Sequence, residues 1–149
     1  MKTILIADDD PDILSVVKIR LNKFGYRVLT AENGATAFLL AKQQHPNLII
    51  LDIKMPCGNG LSTYDKLKDS IETAFIPVIF FTAHPSADIR KKVMEWGASN
   101  FIAKPFTTQE LIFKVKSALF EKLSKKNIVF QSSEDKAPIK TMHSYSLIG

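Results

Sequence analysis

The sequence predicts an α/β fold in which a five-stranded parallel sheet carries helices on both faces. Two observations favour this doubly wound arrangement. Short apolar segments alternate with longer amphipathic segments five times along the chain, which indicates repeated strand–helix units. The segments Leu48–Leu51 and Val78–Phe81 are apolar throughout, which is typical of strands buried on both faces of a parallel sheet. We therefore place these two strands near the centre of the sheet.

The first two strand–helix units are bounded by residues that begin or end helices. The strand Thr3–Ala7 is followed by the predicted helix Pro11–Phe24, whose first proline suits an initial helical turn and which is followed by a glycine. A second strand is predicted at Tyr26–Thr30. The next helix, Gly34–Gln44, ends shortly before a proline.

The remaining units follow the same pattern. We predict helices at Leu61–Asp69 and Ser86–Trp96 after the two apolar strands, and a fifth strand at Asn100–Ala103. The sequence from Thr107 to Glu110 matches a helix-capping box and opens the last helix. We expect one domain over residues 2–123, followed by a C-terminal tail over residues 124–149 that is flexible or binds a partner.

Composition excludes several classes of protein. A chain of 149 residues is long enough for one domain with a complete core. The net charge of +5 is too small and too scattered to indicate nucleic-acid binding. The single cysteine, Cys57, excludes an intrachain disulfide and fits a reducing compartment. No apolar run approaches the length of a membrane span and no signal peptide is evident, so we expect a cytoplasmic location.

Charged and polar residues follow the predicted strands at corresponding positions. They are Asp8 and Asp9 after strand 1, Asp52 after strand 3, Thr82 after strand 4 and Lys104 after strand 5. Ligands of open α/β sheets bind beyond the carboxyl ends of the strands. A flavodoxin-like strand order, 2-1-3-4-5, would place strands 1 and 4 about 5 Å on either side of strand 3. The sequence therefore predicts a phosphate and metal site at this edge.

These residues make the chain resemble the receiver domain of two-component response regulators, of the single-domain type found in chemotaxis. The motifs are the pair Asp8-Asp9, LDIKMPCGNG around Asp52, FFTA with Thr82 and AKPF with Lys104. Thr82 follows Asp52 by 30 residues and Lys104 follows it by 52, as in that family. The resemblance implies the flavodoxin-like fold and makes Asp52 the phosphoacceptor.

The resemblance also implies a magnesium site, which Mn²⁺ could occupy instead. Asp9 and Asp52 would bind the ion directly, Asp8 would bind it through water, and the backbone carbonyl of Lys54 would complete the protein ligands. Mg²⁺ is a hard cation that prefers such oxygen ligands. Lys104 would pair with Asp52 and, after phosphorylation, with the phosphoryl oxygens.

Further roles are implied for residues around the site. Thr82 would hydrogen-bond the phosphoryl group, and Phe101 would be the switch aromatic that moves inward with it. The bond between Lys104 and Pro105 would be cis. Asp10 is instead interpreted as a capping acid at the start of the first helix.

Two residues near the site are candidates for setting the lifetime of an aspartyl phosphate. Lys54 follows Asp52 by two residues, and His84 follows Thr82 by two. We expect both to affect autodephosphorylation, in a direction that the sequence does not give. On the last helix, Phe113 and Phe120 lie off the apolar stripe and could form part of a partner-facing surface.

The implied function is that of a signalling phosphoacceptor. A sensor histidine kinase or histidine phosphotransfer protein would transfer a phosphoryl group to Asp52 in a Mg²⁺-dependent reaction. The surface of the fourth helix, fifth strand and fifth helix would then bind a downstream protein, and a phosphorylation-linked dimer is compatible with this scheme. We expect no DNA-binding domain, no membrane association and no enzymatic activity beyond self-catalysed phosphorylation and dephosphorylation.

Three alternative functions fit the residues less well. A haloacid-dehalogenase-like phosphatase would use Asp8 as nucleophile and Asp10 as its partner, but Asp12 stands where that family prefers Thr or Val, and no acidic pair follows Lys104. A flavin-binding module would need a Ser, Thr or Gly phosphate loop after strand 1. A receiver-like interaction module without phosphorylation would not need the intact set of acids with Thr82 and Lys104.

Overall fold

Strands and helices alternate through the whole described part of the chain. The computed structural model describes residues 1–57, 59–83, 86–95 and 100–120. The strands are β1 (Thr3–Ala7), β2 (Arg27–Ala31), β3 (Leu48–Asp52), β4 (Val78–Thr82) and β5 (Asn100–Ala103). The helices are α1 (Pro11–Lys23), α2 (Gly34–Gln44), α3 (Gly60–Asp69), α4 (Ala87–Glu95) and α5 over residues 108–120. In these residues, no helix combines the length and the apolar character needed to cross a membrane.

The strands form one parallel sheet in the order β2-β1-β3-β4-β5. This confirms the predicted doubly wound, flavodoxin-like arrangement. All five residues of β3 and all five of β4 are buried, as their apolar sequences predicted. The central position of β3 means that whatever follows it lies between the ends of β1 and β4.

Alternating side chains of the sheet build two separate cores. On one side, residues such as Ile50 and Phe81 pack with Leu14 of α1 and Val115 of α5, and we call this the α1/α5 face. On the other side, residues of the sheet pack with α2, α3 and α4, and we call this the α2/α3/α4 face. Helices on both sides explain why the central strands need apolar residues at every position.

Several boundaries differ from prediction by one residue. Strand β2 begins at Arg27 instead of Tyr26, because the Tyr26 N–H donates to the Leu21 carbonyl and closes the end of α1. Helix α1 therefore ends one residue before Phe24. Strands β3 and β4 extend by one residue and take in Asp52 and Thr82, so these two side chains are fixed by the sheet itself.

Side-chain caps explain where several helices begin. Asp10 accepts the Asp12 N–H at the start of α1, which confirms its predicted capping role. Ser86 caps α4, so that helix begins at the following residue, and its predicted end at Trp96 lies outside the described residues. Thr107 Oγ1 accepts the Glu110 N–H at 3.1 Å. The predicted tail, residues 124–149, also lies outside the described part.

Helix α3 begins at Gly60, one residue earlier than predicted, because Asn59 caps it by accepting the Ser62 N–H. The backbone of Gly60 lies directly against the end of β3. The Gly60 N–H donates to the Ile53 carbonyl at 2.9 Å. A Cβ atom on Gly60 would stand 2.2 Å from the backbone oxygen of Asp52. Only glycine fits here without moving the backbone that carries the Asp52 side chain.

Candidate functional site

Three carboxylates converge at the carboxyl edge of the sheet. Asp8 and Asp9 directly follow β1, and Asp52 ends the neighbouring strand β3. One carboxylate oxygen from each residue lies within 4.8 Å of the others. Asp8 is fully buried and Asp52 is 5% exposed, whereas Asp9 is exposed. The structure thus brings together the three acids that the sequence placed at adjacent strand ends.

Strand alternation explains why Lys104 meets two of these acids. Asp8, Asp52 and Lys104 each come two residues after a strand residue on the α1/α5 face. Successive side chains of a strand point to opposite faces, so all three emerge on the same side of the sheet. The side chain of Lys104 extends from the end of β5 across β4, and its Nζ atom reaches the two acids.

The ammonium group of Lys104 contacts both buried carboxylates. It donates to Asp8 Oδ2 at 2.6 Å and to Asp52 Oδ2 at 3.3 Å. Pairing with Asp52 was expected, but Asp8 is the shorter contact. Burial lowers the pKa of Lys104, while its hydrogen bond to Asp8 and the charges of both acids raise it, and the net shift is upward. Lys104 therefore remains charged at neutral pH.

Aromatic rings support Lys104 from below. Its Nζ atom lies 5.7 Å from the centre of the Phe81 ring, and Phe81 stacks on Phe106 with 5.0 Å between ring centres. The Lys104–Pro105 peptide bond, which precedes Phe106, is cis. The ring faces carry negative potential, which favours a cation above them. This contact is not evident from the sequence, because it depends on where the chain places Phe106 after β5.

The three consecutive acids of the first loop have different environments. Asp8 accepts the Asp10 N–H through its second oxygen at 2.9 Å, in addition to its bond with Lys104. Asp10 turns its own carboxylate to the Asp12 N–H. Asp9 and Asp10 are both exposed, and Asp9 is the exposed member of the cluster formed by Asp8, Asp9 and Asp52. The backbone bond from Asp10 fixes Asp8, which is a contact that spacing along the sequence did not reveal.

The carboxyl group of Asp52 is electrostatically destabilised in its ionised form. Burial and the negative charge of Asp8 raise its pKa, the ammonium of Lys104 and the Lys54 N–H lower it, and the result is a pKa of about 6. Low-dielectric surroundings disfavour a charge, and a like charge nearby adds to that cost. Asp52 therefore gains more from an added cation than an ordinary surface aspartate does.

The donor set fits a hard divalent cation. Three carboxylates and one ammonium leave a formal charge of −2 when all are ionised. That is the charge a divalent cation neutralises, and carboxylate oxygens are the protein ligands that Mg²⁺ and Mn²⁺ prefer. An open cleft of about 450 Å³ borders Asp9 and the exposed Lys54, so the site is reachable from solvent.

Thr82 and Phe101 lie on the opposite side of the sheet from Lys104. Thr82 is 4% exposed, and its Cα pairs with Ala103 across β4 and β5. Phe101 is half-buried against the core of the α2/α3/α4 face. Thr82 and Phe101 thus share a face at neighbouring strands. His84, the second candidate for setting phosphoryl lifetime, lies outside the described residues.

The phosphatase alternative is not favoured by this geometry. It needs Asp8 as a nucleophile, but Asp8 is fully buried, and its oxygens accept hydrogen bonds from Asp10 at 2.9 Å and Lys104 at 2.6 Å, shorter than the contacts of Asp52 at 3.4 and 3.3 Å. Asp52 instead carries the longer contact to Lys104 and stands at the centre of the sheet edge.

We predict that Asp52→Asn stabilises the protein in the absence of divalent cations. The Asp52 carboxyl group binds its proton more tightly in the folded state than in the unfolded state. Protonation of Asp52 therefore stabilises the fold, and this stabilisation is lost as pH rises from 3.8 to about 6. Asparagine does not ionise. Urea unfolding in EDTA should show the variant more stable by about 1–3 kcal/mol at pH 7.5, with a smaller difference at pH 5.

Asp10→Asn is the matched control for this experiment. It removes a neighbouring acid but keeps a good helix cap, so its stability should change by less than about 0.5 kcal/mol. An Asp52→Asn variant that is less stable than the wild type at pH 7.5 would contradict the proposed electrostatic cost.

This chain is similar to proteins that contain a response regulator receiver domain. The family model described as the response regulator receiver domain matches residues 4–116. The phosphate regulon transcriptional regulatory protein PhoB of Pseudomonas aeruginosa is 36% identical over 118 residues, which cover 79% of this chain and 52% of PhoB. The chain spans about half the length of the first curated relatives that it matches.

Solved structures show the same likeness. Chemotaxis protein CheY4 of Vibrio cholerae is 26% identical with a TM-score of 0.75, covering 79% of this chain and 98% of that one. The receiver domain of sensor histidine kinase PA1611 from Pseudomonas aeruginosa is 26% identical with a TM-score of 0.73, covering 79% and 97%, and was solved with magnesium in its active-site cleft. The chain belongs to the response regulator receiver domain family of two-component signalling proteins.

Proposed function

We propose that the chain accepts a phosphoryl group on Asp52 from the phosphohistidine of a sensor histidine kinase or a histidine phosphotransfer protein. The observation that carries this proposal is the contact of Lys104 with both Asp8 and Asp52 beside an exposed third acid. This arrangement presents one central carboxylate with a fixed cation at its side and room for a divalent ion. Phosphoryl transfer depends mainly on such positioning and charge.

The reaction begins with attack of an Asp52 carboxylate oxygen on the phosphorus atom. The P–N bond to the donor imidazole breaks, and the imidazole leaves with the bonding electrons and takes up a proton. The acyl phosphate that forms on Asp52 is a covalent product of the kind that carboxylate nucleophiles give. Lys104 can help to neutralise the charge of the phosphoryl oxygens, because its Nζ atom already contacts Asp52 Oδ2.

The acid set would hold the metal ion in this proposal. Asp9 and Asp52 would bind Mg²⁺ or Mn²⁺ directly, Asp8 through water, and Lys54 through its backbone carbonyl. When bound, the ion supplies the positive charge that lets an anionic carboxylate approach an anionic phosphoryl group. The Lys54 N–H already donates to Asp52 Oδ1 at 3.4 Å, so the loop after β3 follows the nucleophile closely.

The response to phosphorylation would pass along the opposite side of the sheet. Thr82 would hydrogen-bond the phosphoryl group, and Phe101 would move inward toward the space that Thr82 leaves. The shared face of Thr82 and Phe101 supports this coupling. The surface of α4, β5 and α5 would then bind a downstream protein or a second receiver. Phe113 and Phe120, which are 68% and 64% exposed on α5, extend its apolar area.

We predict that a small phosphodonor with Mg²⁺ adds one phosphoryl group to the wild type, and that Asp52→Asn abolishes the addition. The variant keeps the shape of the side chain but removes the nucleophile. Intact-protein mass spectrometry measures the gain, with Asp10→Asn as the control that should label as the wild type does. Labelling of Asp52→Asn at the wild-type level would refute Asp52 as the acceptor. No labelling of any variant would favour the non-phosphorylated interaction module.

We propose that Lys54 and His84 set the lifetime of the phosphoryl group. The side chain of Lys54 is exposed beside the cleft, where water would enter. Removing it should change the half-life of the aspartyl phosphate at least about threefold, a change of about 0.7 kcal/mol in barrier height. Loss of label after donor removal gives the half-life of Lys54→Ala and His84→Ala. Lys66→Ala on α3 serves as a control, and wild-type half-lives in both variants would refute the tuning role.

A further inference from the structure

A cation from α4 lies over the ring of Phe101. The guanidinium carbon of Arg90 is 4.9 Å from the centre of that ring. This is within the range in which a guanidinium is attracted to an aromatic face. Arg90 itself is exposed, while the ring is half-buried, so the contact closes the outer side of Phe101. Arg90 belongs to neither the acid cluster nor the set of residues singled out from the sequence.

Helix α4 is held so that Arg90 stands at this position. Ser86 caps the helix by accepting the Ile89 N–H at 3.2 Å, and its carbonyl accepts the Arg90 N–H at 3.0 Å. Ile89 and Val93, one turn apart, pack into the α2/α3/α4 face together with Phe101. The first turn of α4 is therefore fixed relative to β5, and only four residues separate Thr82 from this helix.

Phe101 and Thr82 lie close together on adjacent strands of the sheet. The Cα of Phe101 pairs with Phe80 across β4 and β5, and Thr82 lies two residues further along the same face of β4. Residues two apart on adjacent strands are within reach of an aromatic side chain. An inward movement of the ring toward Thr82 would carry it away from a guanidinium that approaches from α4.

We propose that Arg90 is a positioning residue that holds Phe101 in its outer orientation and so opposes the phosphorylated state. This inference rests on the proposed function, in which Phe101 moves inward when Asp52 is phosphorylated. The guanidinium lies over the ring in its half-buried position, and a contact that is lost when the ring moves inward favours the half-buried position. A cation–aromatic contact at an exposed site shifts such an equilibrium about two- to fivefold.

The same bias must appear in ligand affinity. A phosphoryl mimic on Asp52 favours the inward ring, so removing the Arg90 contact should tighten binding of that mimic by the same factor. Beryllofluoride with Mg²⁺ is a suitable mimic, because it bonds to a carboxylate oxygen in place of a phosphoryl group. Calorimetric titration of wild type and Arg90→Ala should give a two- to fivefold higher affinity in the variant.

Three further variants separate the ring contact from the loss of charge. Lys91→Ala removes the same charge from the next residue of α4 and should leave the affinity unchanged. Phe101→Ala removes the ring, and Arg90→Ala should then have no further effect in that background. Arg90→Lys keeps a cation and should restore part of the wild-type affinity. A residue that merely stabilised α4 would not show this dependence on Phe101.

A double-mutant cycle of Arg90 and Phe101, measured by unfolding, tests the contact without using the phosphoryl site. Urea unfolding of the unmodified wild type, Arg90→Ala, Phe101→Ala and the double variant should show a non-additive, stabilising coupling. Additive effects would overturn the inference even if Asp52 is phosphorylated as proposed. Equal beryllofluoride affinities of wild type and Arg90→Ala would overturn it too. Failure of the wild type to bind beryllofluoride would instead refute the proposed function, and with it the switching role of Arg90.

Discussion

The ion pairs of Lys104 with Asp8 and Asp52 are the interaction on which the site depends. Two buried carboxylates at neighbouring strand ends repel each other, and burial raises the cost of their charges. One ammonium reduces this cost but leaves the site with excess negative charge. The parallel sheet fixes the strand ends and prevents the acids from separating. The fold therefore creates a site at which binding of a further cation is electrostatically favourable.

Much of the fold and site could be predicted because the relevant signals are local. The unbroken apolar runs of β3 and β4 predicted the centre of the sheet, and the position of Asp52 at the end of one run predicted its place among the acids. The sequence could not predict that Lys104 contacts Asp8 more closely than Asp52, since the two contacts, at 2.6 and 3.3 Å, differ by less than an ångström. The contact of Arg90 with Phe101 depends on how α4 is rotated against β5, which no spacing in the sequence records.

The two faces of the sheet divide the work of the proposed switch. Asp52 and Lys104 emerge on one side, whereas Thr82 and Phe101 share the other, next to α4. Gly60 adds a steric constraint, because its backbone lies against the carbonyl of Asp52, the proposed nucleophile. In the proposed switch, a rigid strand end beside an exposed helix would let phosphorylation of Asp52 alter a surface that a second protein can bind.

Binding of Mg²⁺ to the unphosphorylated protein tests the central electrostatic claim most directly. Calorimetric titration should show one Mg²⁺ bound per wild-type chain, and Asp9→Asn should weaken it at least about tenfold because an acid of the cluster is lost. Asp10→Asn, one residue further along, should bind as the wild type does, since Asp10 caps α1. Equal Mg²⁺ affinities for wild type and Asp9→Asn, or equal weakening by the two variants, would contradict the account.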